Sequence, residues 1–578
     1  MENKRKYSIL YPDFEGVVYK QLSETACHDL SLDLLCEKLT DDAGEYKLIL
    51  ETISHMTSDP RVAEYRQKVF CDILKFPNLR KRMVELFDKF EFIRSYGVDH
   101  LDIDEKKGIW HLLRRMDELN DYINCIEAMQ ECLTENAIVS EGLKGLSKYV
   151  DELYHAANFG EMKADIAALK VHSSEVKSVT VGINVNERFE ATELGLISIN
   201  NKYFKKSGIV SNFAAAISTE QKIQDGTEWN GNMHYHPVEK PVQSNGMMAE
   251  VLERKAKLNL THIAGLGGER VSRETMASIT KGDGLANSTF YLSEIANKML
   301  DMLLKKLRDT LSKYANVAVL NISQVIPEFI YYIRFAEFVE KNMAQGYTFC
   351  ETEVLNGDSI QMEAKDFYNL KLAVSGLKNE DIVTNDLCFD KEHTAYILTG
   401  ANRGGKTTVT QAVGILYVLA QGGIFVPASS FGYKPVDCIY THFPADEEKT
   451  LDLGRLGEEC IRFKENYNAC TKESLCLLNE SFSTTSFEEG YYIAKDSVKA
   501  LLKKSVRTIY NTHMHKLGED VNELNMENPN ARASSIVVQS EDGKRSFKLE
   551  ISPPKGMSYA RDIAEKYGVT YEMLTEEM

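Results

Sequence analysis

The chain has 578 residues and a formal net charge of −18; 43% of its residues are hydrophobic and 9% aromatic, enough for large cores, and the length suggests about three or four domains. The acidic balance argues against a broad nucleic-acid-coating surface but leaves room for a local basic groove. Eleven scattered cysteines without a C-x-x-C pair suit a reducing compartment, and no apolar stretch reads as a secretory signal or a membrane span, so a cytoplasmic protein with no membrane partner is expected.

Residues 1–175 read as mostly helical. Leu30 to Leu39, Tyr46 to Met56, Val62 to Leu74, Arg80 to Phe92 and Ile109 to Cys132 carry apolar residues at three- and four-residue spacing, and Asp59-Pro60 marks a helix start. From 176 to 290 the character changes. Lys177 to Asn186 alternates and is rich in Val and Ile, Leu194 to Ile199 is a second strand, and the polar, Gly-rich remainder reads as an inserted lobe. His234 and His236 lie in it without Cys or carboxylate at ligand spacing, which reads as loop rather than metal site. Helix returns over 291–350: Leu292, Ile295, Met299, Met302, Leu307 and Leu311 share one face, Pro327 interrupts, and Ile330 to Val339 resumes the pattern. The Lys305-Lys306-Arg308 cluster reads as a solvated helix face.

The remaining residues, 351–578, carry the chemistry. Tyr396-Ile397-Leu398 reads as a buried strand, and Gly400 to Thr407, GANRGGKT, fits the phosphate-binding pattern G-x-x-x-x-G-K-S/T. Its glycines let backbone N–H groups close around phosphate oxygens; Lys406 would reach the β/γ-phosphates and the Thr407 hydroxyl would ligate Mg²⁺. An apolar, proline-free helix runs from Lys406 to Ala420, and its N-terminal dipole favours the same negative charge. Gly400, Ala401, Asn402, Arg403, Gly404, Gly405, Lys406, Thr407 and Thr408 are thus the candidate nucleotide-binding residues. Ser474 to Glu480, SLCLLNE, is a buried-strand pattern that delivers polar side chains at its carboxyl end, where ligands bind in open α/β sheets. Ser505 to Thr512 is another strand, ending in His513; Ser535 to Gln539 and Phe547 to Ile551 flank a turn and read as a hairpin.

TGANRGGKTT, with the tail LAQGGIFVPA from Leu419 to Ala428, resembles the MutS family. Phosphate binding does not require that tail, so it separates this family from other P-loop ATPases. Ala401 stands where Pro is common in the family, and Arg403 where Met is common; neither removes a phosphate contact. Ser58 to Met83 resembles the opening of the MutS core, the helices over 291–350 its levers, and the inserted lobe its clamp in position. Ile382 to Leu387 resembles the strand entering its nucleotide fold, with Asn385 near the base or ribose, and the stretch from Pro553 resembles the end of its ATPase. SLCLLNE resembles the Walker B strand, which implies Asn479 in place of the Asp that holds Mg²⁺ through water, and Glu480 as the catalytic carboxylate polarising the attacking water. An amide oxygen accepts a hydrogen bond but brings no charge, so Mg·ATP binding is expected to survive and turnover to slow. YNTHMHKL is similar to the family's Thr-His-x-His signature, which implies His513 at the γ-phosphate. Gly454-Arg455-Leu456-Gly457 stands where the family has Gly-x-Ser-Thr, so the segment that reaches the partner's nucleotide lacks its hydroxyls. Phe14-Glu15 lacks the Phe-x-Glu spacing of the family's mismatch probe and reads as ordinary chain. Core-like sequence begins within the first sixty residues and the chain ends at Met578, so a mismatch-recognition domain, a connector and a nuclease tail are not expected.

These readings give an α+β multi-domain fold: a helical core at 1–175, a clamp-like lobe at 176–290, lever helices at 291–350 and an α/β P-loop (ABC-like) ATPase domain at 351–578. The resemblance implies an ATPase using ATP and Mg²⁺, with Glu480 and His513 catalytic and Thr407 and Asn479 at the metal. It would work as a homodimer that closes on double-stranded or branched DNA, in DNA repair or recombination control, without reading mismatches by the family's usual means. The rival is a nucleotide-switched scaffold that binds protein rather than DNA, which the acidic balance favours. An ABC-type ATPase is disfavoured because no L-S-G-G-Q stretch occurs.

Overall fold

The computed structural model describes residues 7–95, 109–134, 137–174, 178–185, 187, 191–200, 301–314, 325–357, 359–400, 404–444, 454–528, 531–541, 544–554, 565 and 567–575. The expectations for Ala401, Asn402 and Arg403, for His234 and His236, and for the inserted lobe beyond Asn200 lie outside the described residues. The chain falls into two compact units, one formed by Met1–Lys81, Asn136–Leu146 and Gln324–Met578, the other by Arg82–Glu135 and Ser147–Ser323. No helix among the described residues is long and apolar enough to cross a membrane.

The first unit begins with β1 (Lys20–Gln21), α1 (Glu24–Asp29), α2 (Leu32–Leu39), α3 (Ala43–Ile53) and β2 (His55–Met56), which pairs antiparallel with β1. Next come α4 (Pro60–Lys75) and α5 (Pro77–Ser95). Asp59 caps α4 by accepting from the Arg61 N–H, and Pro60, which has no N–H to lose, takes the first turn. The helix buries Val62, Val69, Phe70 and Ile73 on one face. Arg66 is buried among them: its Nε donates to the Leu10 carbonyl at 2.8 Å and its Nη1 to the Gln421 carbonyl at 2.9 Å. One guanidinium therefore ties the N-terminal segment and α4 to Gln421, the last residue of the helix Lys406–Gln421.

The second unit contains the part of α5 from Arg82 onward, all of α6 (Ile109–Thr134), part of α7 (Glu141–Tyr154), and α8 (Ala157–Ser174), β3 (Ser178–Val185), β4 (Ala191–Asn200) and α9 (Asp301–Ser312). Alternation in the sequence becomes an antiparallel β3–β4 pair. α6 packs on α8 and α9, and Tyr314 locks the three: its hydroxyl donates to Asp165 at 2.8 Å and its carbonyl accepts from Arg115 at 3.1 Å.

The first unit resumes with α10 (Ile326–Ala344). Pro327 does not interrupt a helix, as its place in the apolar pattern suggested, but starts one, in the turn where a missing N–H costs nothing. Then follow β5 (Thr352–Val354), β6 (Ile360–Phe367), α11 (Leu370–Val374), β7 (Asn385–Asp390), β8 (Ala395–Thr399), α12 (Lys406–Gln421), β9 (Ser430–Tyr433), β10 (Ile439–His442), α13 (Gly454–Ala469), β11 (Leu475–Asn479), α14 (Phe487–Lys503), β12 (Arg507–Asn511), α15 (His515–Glu519), α16 (Val521–Glu527), β13 (Ala533–Glu541), β14 (Lys544–Ile551) and α17 (Tyr571–Thr575). The strand expected from Ile382 starts only at Asn385, because a 3-10 turn, Asn379–Asp381, precedes it.

A six-stranded sheet runs β10-β11-β12-β8-β13-β14, parallel from β10 to β13, with β14 returning antiparallel at the edge. Strands β8, β11 and β12 are buried along their whole length, which is why they read as unbroken apolar runs rather than alternations. One face receives α12: a Cβ on Gly414 would lie 2.9 Å from Leu477 and 2.4 Å from Leu30, so this helix is held tightly between the sheet and the N-terminal segment. The neighbouring residues Cys476 and Leu478 point to the other face, where Ala494, Val498, Leu501 and Leu502 of α14 cover them. A four-stranded sheet, β5-β9-β6-β7, adjoins in sequence and supplies one wall of the site.

Candidate functional site

The ends of β8, β11 and β12 converge. Register places Asn479 beside Asn511 and Asn511 beside Leu398, so three neighbouring parallel strands deliver Gly400, Glu480 and His513 at their carboxyl ends. A cavity of about 430 Å³ opens there, lined by Gly404, Gly405, Lys406, Thr407, Thr408, Glu480 and His513 together with Phe367, Leu372, Leu377, Val383 and Phe547. Gly405 has φ +90°, and a Cβ on it would lie 3.2 Å from the Phe547 ring, so only glycine leaves this cradle open. The lysine, the hydroxyls and the start of α12 suit phosphates, and the apolar side chains suit a planar base.

Lys406, the first residue of α12, is buried, and its Nζ donates to the Gly400 carbonyl at 3.2 Å. Burial holds its pKa below the ordinary lysine value, opposed by the nearby Glu480. His515 is held below its usual range by burial first and then by its neighbours His513 and Lys406. Glu480 sits at φ +51°, its backbone N–H donating to the Asn511 carbonyl at 2.9 Å, and this left-handed turn lifts its carboxylate off the strand. There it meets His513, Nε2 to Oε1 at 2.8 Å.

Of the two residues expected at a metal, Thr407 donates through Oγ1 to Asn479 Oδ1 at 3.0 Å. Asn479 is almost fully buried and is engaged a second time by Asn511 Nδ2. Glu488 and Glu489, the carboxylates closest in sequence to the Walker B strand, do not line the cavity; Glu489 accepts instead from Thr485. Among the described residues no group of three His, Cys, Asp or Glu side chains is placed to hold a metal ion. A hydroxyl, an amide oxygen and an adjacent phosphate space fit a hard, hydrated cation such as Mg²⁺, which keeps most of its waters.

Sequence reasoning brought Gly400, Gly404, Gly405, Lys406, Thr407, Thr408, Asn479, Glu480 and His513 to one place, and it missed four supports. Asn511 looked like an ordinary strand residue. Asn369, which caps α11, donates to the Thr408 carbonyl at 2.7 Å and braces the start of α12. Phe547 overhangs Gly405 from β14 at φ +57°. His442 bonds Ser481 at 2.7 Å and the Glu459 carbonyl at 3.0 Å, tying the turn after Glu480 to α13; burial pushes its pKa down to about 4. Asn385 does line the cavity, but its amide is spent on β14, donating to the Phe547 carbonyl at 3.1 Å and accepting from the Leu549 N–H at 2.8 Å. It holds the overhanging ring in place.

Two family models match the chain: MutS domain V over residues 396–576 and the MutS2 N-terminal domain over 58–225. The chain is 30% identical over 200 residues to the DNA mismatch repair protein MutS of Prochlorococcus marinus (strain MIT 9312), a match covering 34% of this chain and 22% of the relative. It is 28% identical over 235 residues to that of Chlorobium phaeobacteroides, covering 40% and 26%. Against that of Staphylococcus epidermidis it is 22% identical over 533 residues, covering 85% of this chain and 59% of the relative. The chain thus spans between 22% and 59% of the length of these curated relatives.

Proposed function

This chain belongs to the MutS family, and on that premise we propose that it is a nucleotide-switched ATPase that acts on DNA as a homodimer in repair or recombination. The observation that carries the reading is one cavity that holds the phosphate-loop residues Lys406 and Thr407 together with Glu480 and His513. The N–H groups at the start of α12 and the Lys406 ammonium bind the phosphates, and Phe547 with Leu377 and Val383 shelters the base. Bound Mg²⁺ would neutralise phosphate charge; Thr407 and, through water, Asn479 would hold it. Glu480 orients and deprotonates the attacking water. His513, now satisfied by Glu480, would instead donate to the γ-phosphate, so ATP frees the carboxylate as it recruits the imidazole. With a neutral amide at 479, hydrolysis is slow relative to binding and the nucleotide acts as a slow switch.

The γ-phosphate adds contacts only when the site is complete, which biases a two-state assembly. In this reading the lobe at 176–290 and the lever helices at 291–350 respond to that bias and close on a duplex or branched DNA. The acidic balance, a net charge of −18, favours the second reading, a scaffold switched in the same way that binds protein. Binding to linear, mismatched and branched DNA at several salt concentrations, with and without ATP, separates the two. A DNA clamp gives ATP-dependent affinity that falls steeply with salt; a scaffold binds no DNA above the non-specific level.

A further inference from the structure

The amide at 479 raises a problem that a carboxylate would not have. The two oxygens of an Asp are equivalent, so either orientation serves a metal-ligating hydroxyl. An Asn presents an oxygen on one side and an NH₂ on the other, and the wrong orientation would put a donor against the Thr407 hydroxyl and the hydrated cation. Something must fix the orientation.

Asn511 has the geometry to do so. It lies directly beside Asn479 in the β11–β12 register and is completely buried. Its Nδ2 faces two acceptors on the same side: Asn479 Oδ1, and Thr407 Oγ1 at 3.3 Å. Thr407 Oγ1 in turn donates to Asn479 Oδ1 at 3.0 Å. The three side chains close a triangle in which the two amides are coupled, so that neither can turn over alone. Turning the Asn511 amide over would set its oxygen against the Asn479 and Thr407 oxygens; turning Asn479 over would set NH₂ against NH₂. Asn511 holds this orientation although its own Oδ1 is left buried with no hydrogen-bond partner. In the closed triangle the Thr407 hydroxyl spends its proton on Asn479 and one lone pair on Asn511, leaving the other lone pair for a cation.

We propose that Asn511 is a positioning residue for the metal: it locks the Asn479 amide with its oxygen toward Thr407 and so presets the Thr407 hydroxyl to ligate Mg²⁺. The proposal rests on the nucleotide reading above. It makes Asn479 and Asn511 a matched pair, the second amide supplying the orientation that the first lost with its symmetry.

The test is Mg²⁺ titration of a fluorescent N-methylanthraniloyl ATP bound to the full chain, with the affinity in EDTA measured alongside and a thermal melt to confirm folding. Asn511→Ala is expected to raise the Mg²⁺ half-saturation concentration about 10-fold, equivalent to about 1.4 kcal/mol, while the affinity in EDTA changes less than about 2-fold. In the Asn479→Asp background, where there is no orientation to fix, the same substitution should move half-saturation less than about 2-fold. Asn511→Ser, which is smaller and cannot reach both acceptors, serves if Asn511→Ala does not fold. Half-saturation unchanged by loss of the Asn511 amide, or shifted equally in both backgrounds, overturns the proposal and leaves Asn511 a packing residue. Wild-type protein that binds no nucleotide with or without Mg²⁺ would instead overturn the nucleotide reading itself.

Discussion

In the proposed reading, Asn479→Asp adds a negative charge at the position that would hold Mg²⁺ through water. The side chain is almost fully buried and already receives two donors, Thr407 Oγ1 at 3.0 Å and Asn511 Nδ2, so a carboxylate would enter a prepared site. A unit charge about 4 Å from a monovalent partner is worth about 4 kcal/mol at an effective dielectric of about 20, and a dication doubles the gross gain. Taking the carboxylate out of water costs several kcal/mol, part of which the two charge-assisted hydrogen bonds recover. The net gain toward Mg²⁺ is about 1–3 kcal/mol, or about 5- to 150-fold in its half-saturation concentration. Without the metal the same buried charge is unpaired and should destabilise the fold by about 1–3 kcal/mol. The assay combines Mg²⁺ titration of bound fluorescent ATP, steady-state phosphate release, and melting in EDTA and in Mg·ATP. The expected result is tighter Mg²⁺ dependence, faster turnover, a lower melting temperature in EDTA and recovery with Mg·ATP. Turnover that stays level or falls would refute the reasoning, since it would mean that another group already supplies the charge; Glu488 and Glu489, which do not line the cavity, are poor candidates.

Glu480→Gln should keep ATP binding, lose water activation and accumulate a compact ATP-bound dimer; light scattering that finds one unchanged monomer in every nucleotide state contradicts shared ATPase sites. His442, held to about 4 by burial, makes the fold acid-sensitive. Its folded pKa lies below the unfolded value of about 6.5, so the unfolded chain binds more protons between these values and stability falls as pH drops through that window, by about 2–3 kcal/mol at about pH 4.5. Denaturant titrations should therefore show His442→Gln losing less between about pH 7 and about pH 4.5 than the parent; equal losses would place the acid sensitivity elsewhere.

The candidate phosphate loop stood out because phosphate binding calls for fixed residue types at fixed spacing, and the strands β8, β11 and β12 were legible because burial on both faces leaves mainly apolar residues. The helices α4 and α6 followed from apolar spacing, and α4 from its Asp-Pro start as well. The supports were hidden for a common reason: each acts across long sequence separation through a residue of unremarkable type. Asn511 matters only because register sets it beside Asn479, and Asn369 only because a turn brings it to Thr408. β5, β9 and β10 escaped notice because strands of three or four residues carry too few positions for a period to show. Pro327 was misread because a proline in an apolar pattern looks the same whether it ends a helix or starts one.

The central claim is that Lys406 and the start of α12 hold a nucleotide's phosphates. Equilibrium binding of ATP to the full chain and to Lys406→Ala, with folding of both confirmed by circular dichroism, tests it most directly. Wild-type protein should bind ATP in the presence of Mg²⁺, and the variant should lose about 100-fold or more in affinity, the loss of a buried charge–phosphate contact worth about 2.7 kcal/mol or more. Equal affinity in a folded Lys406→Ala protein would contradict the account.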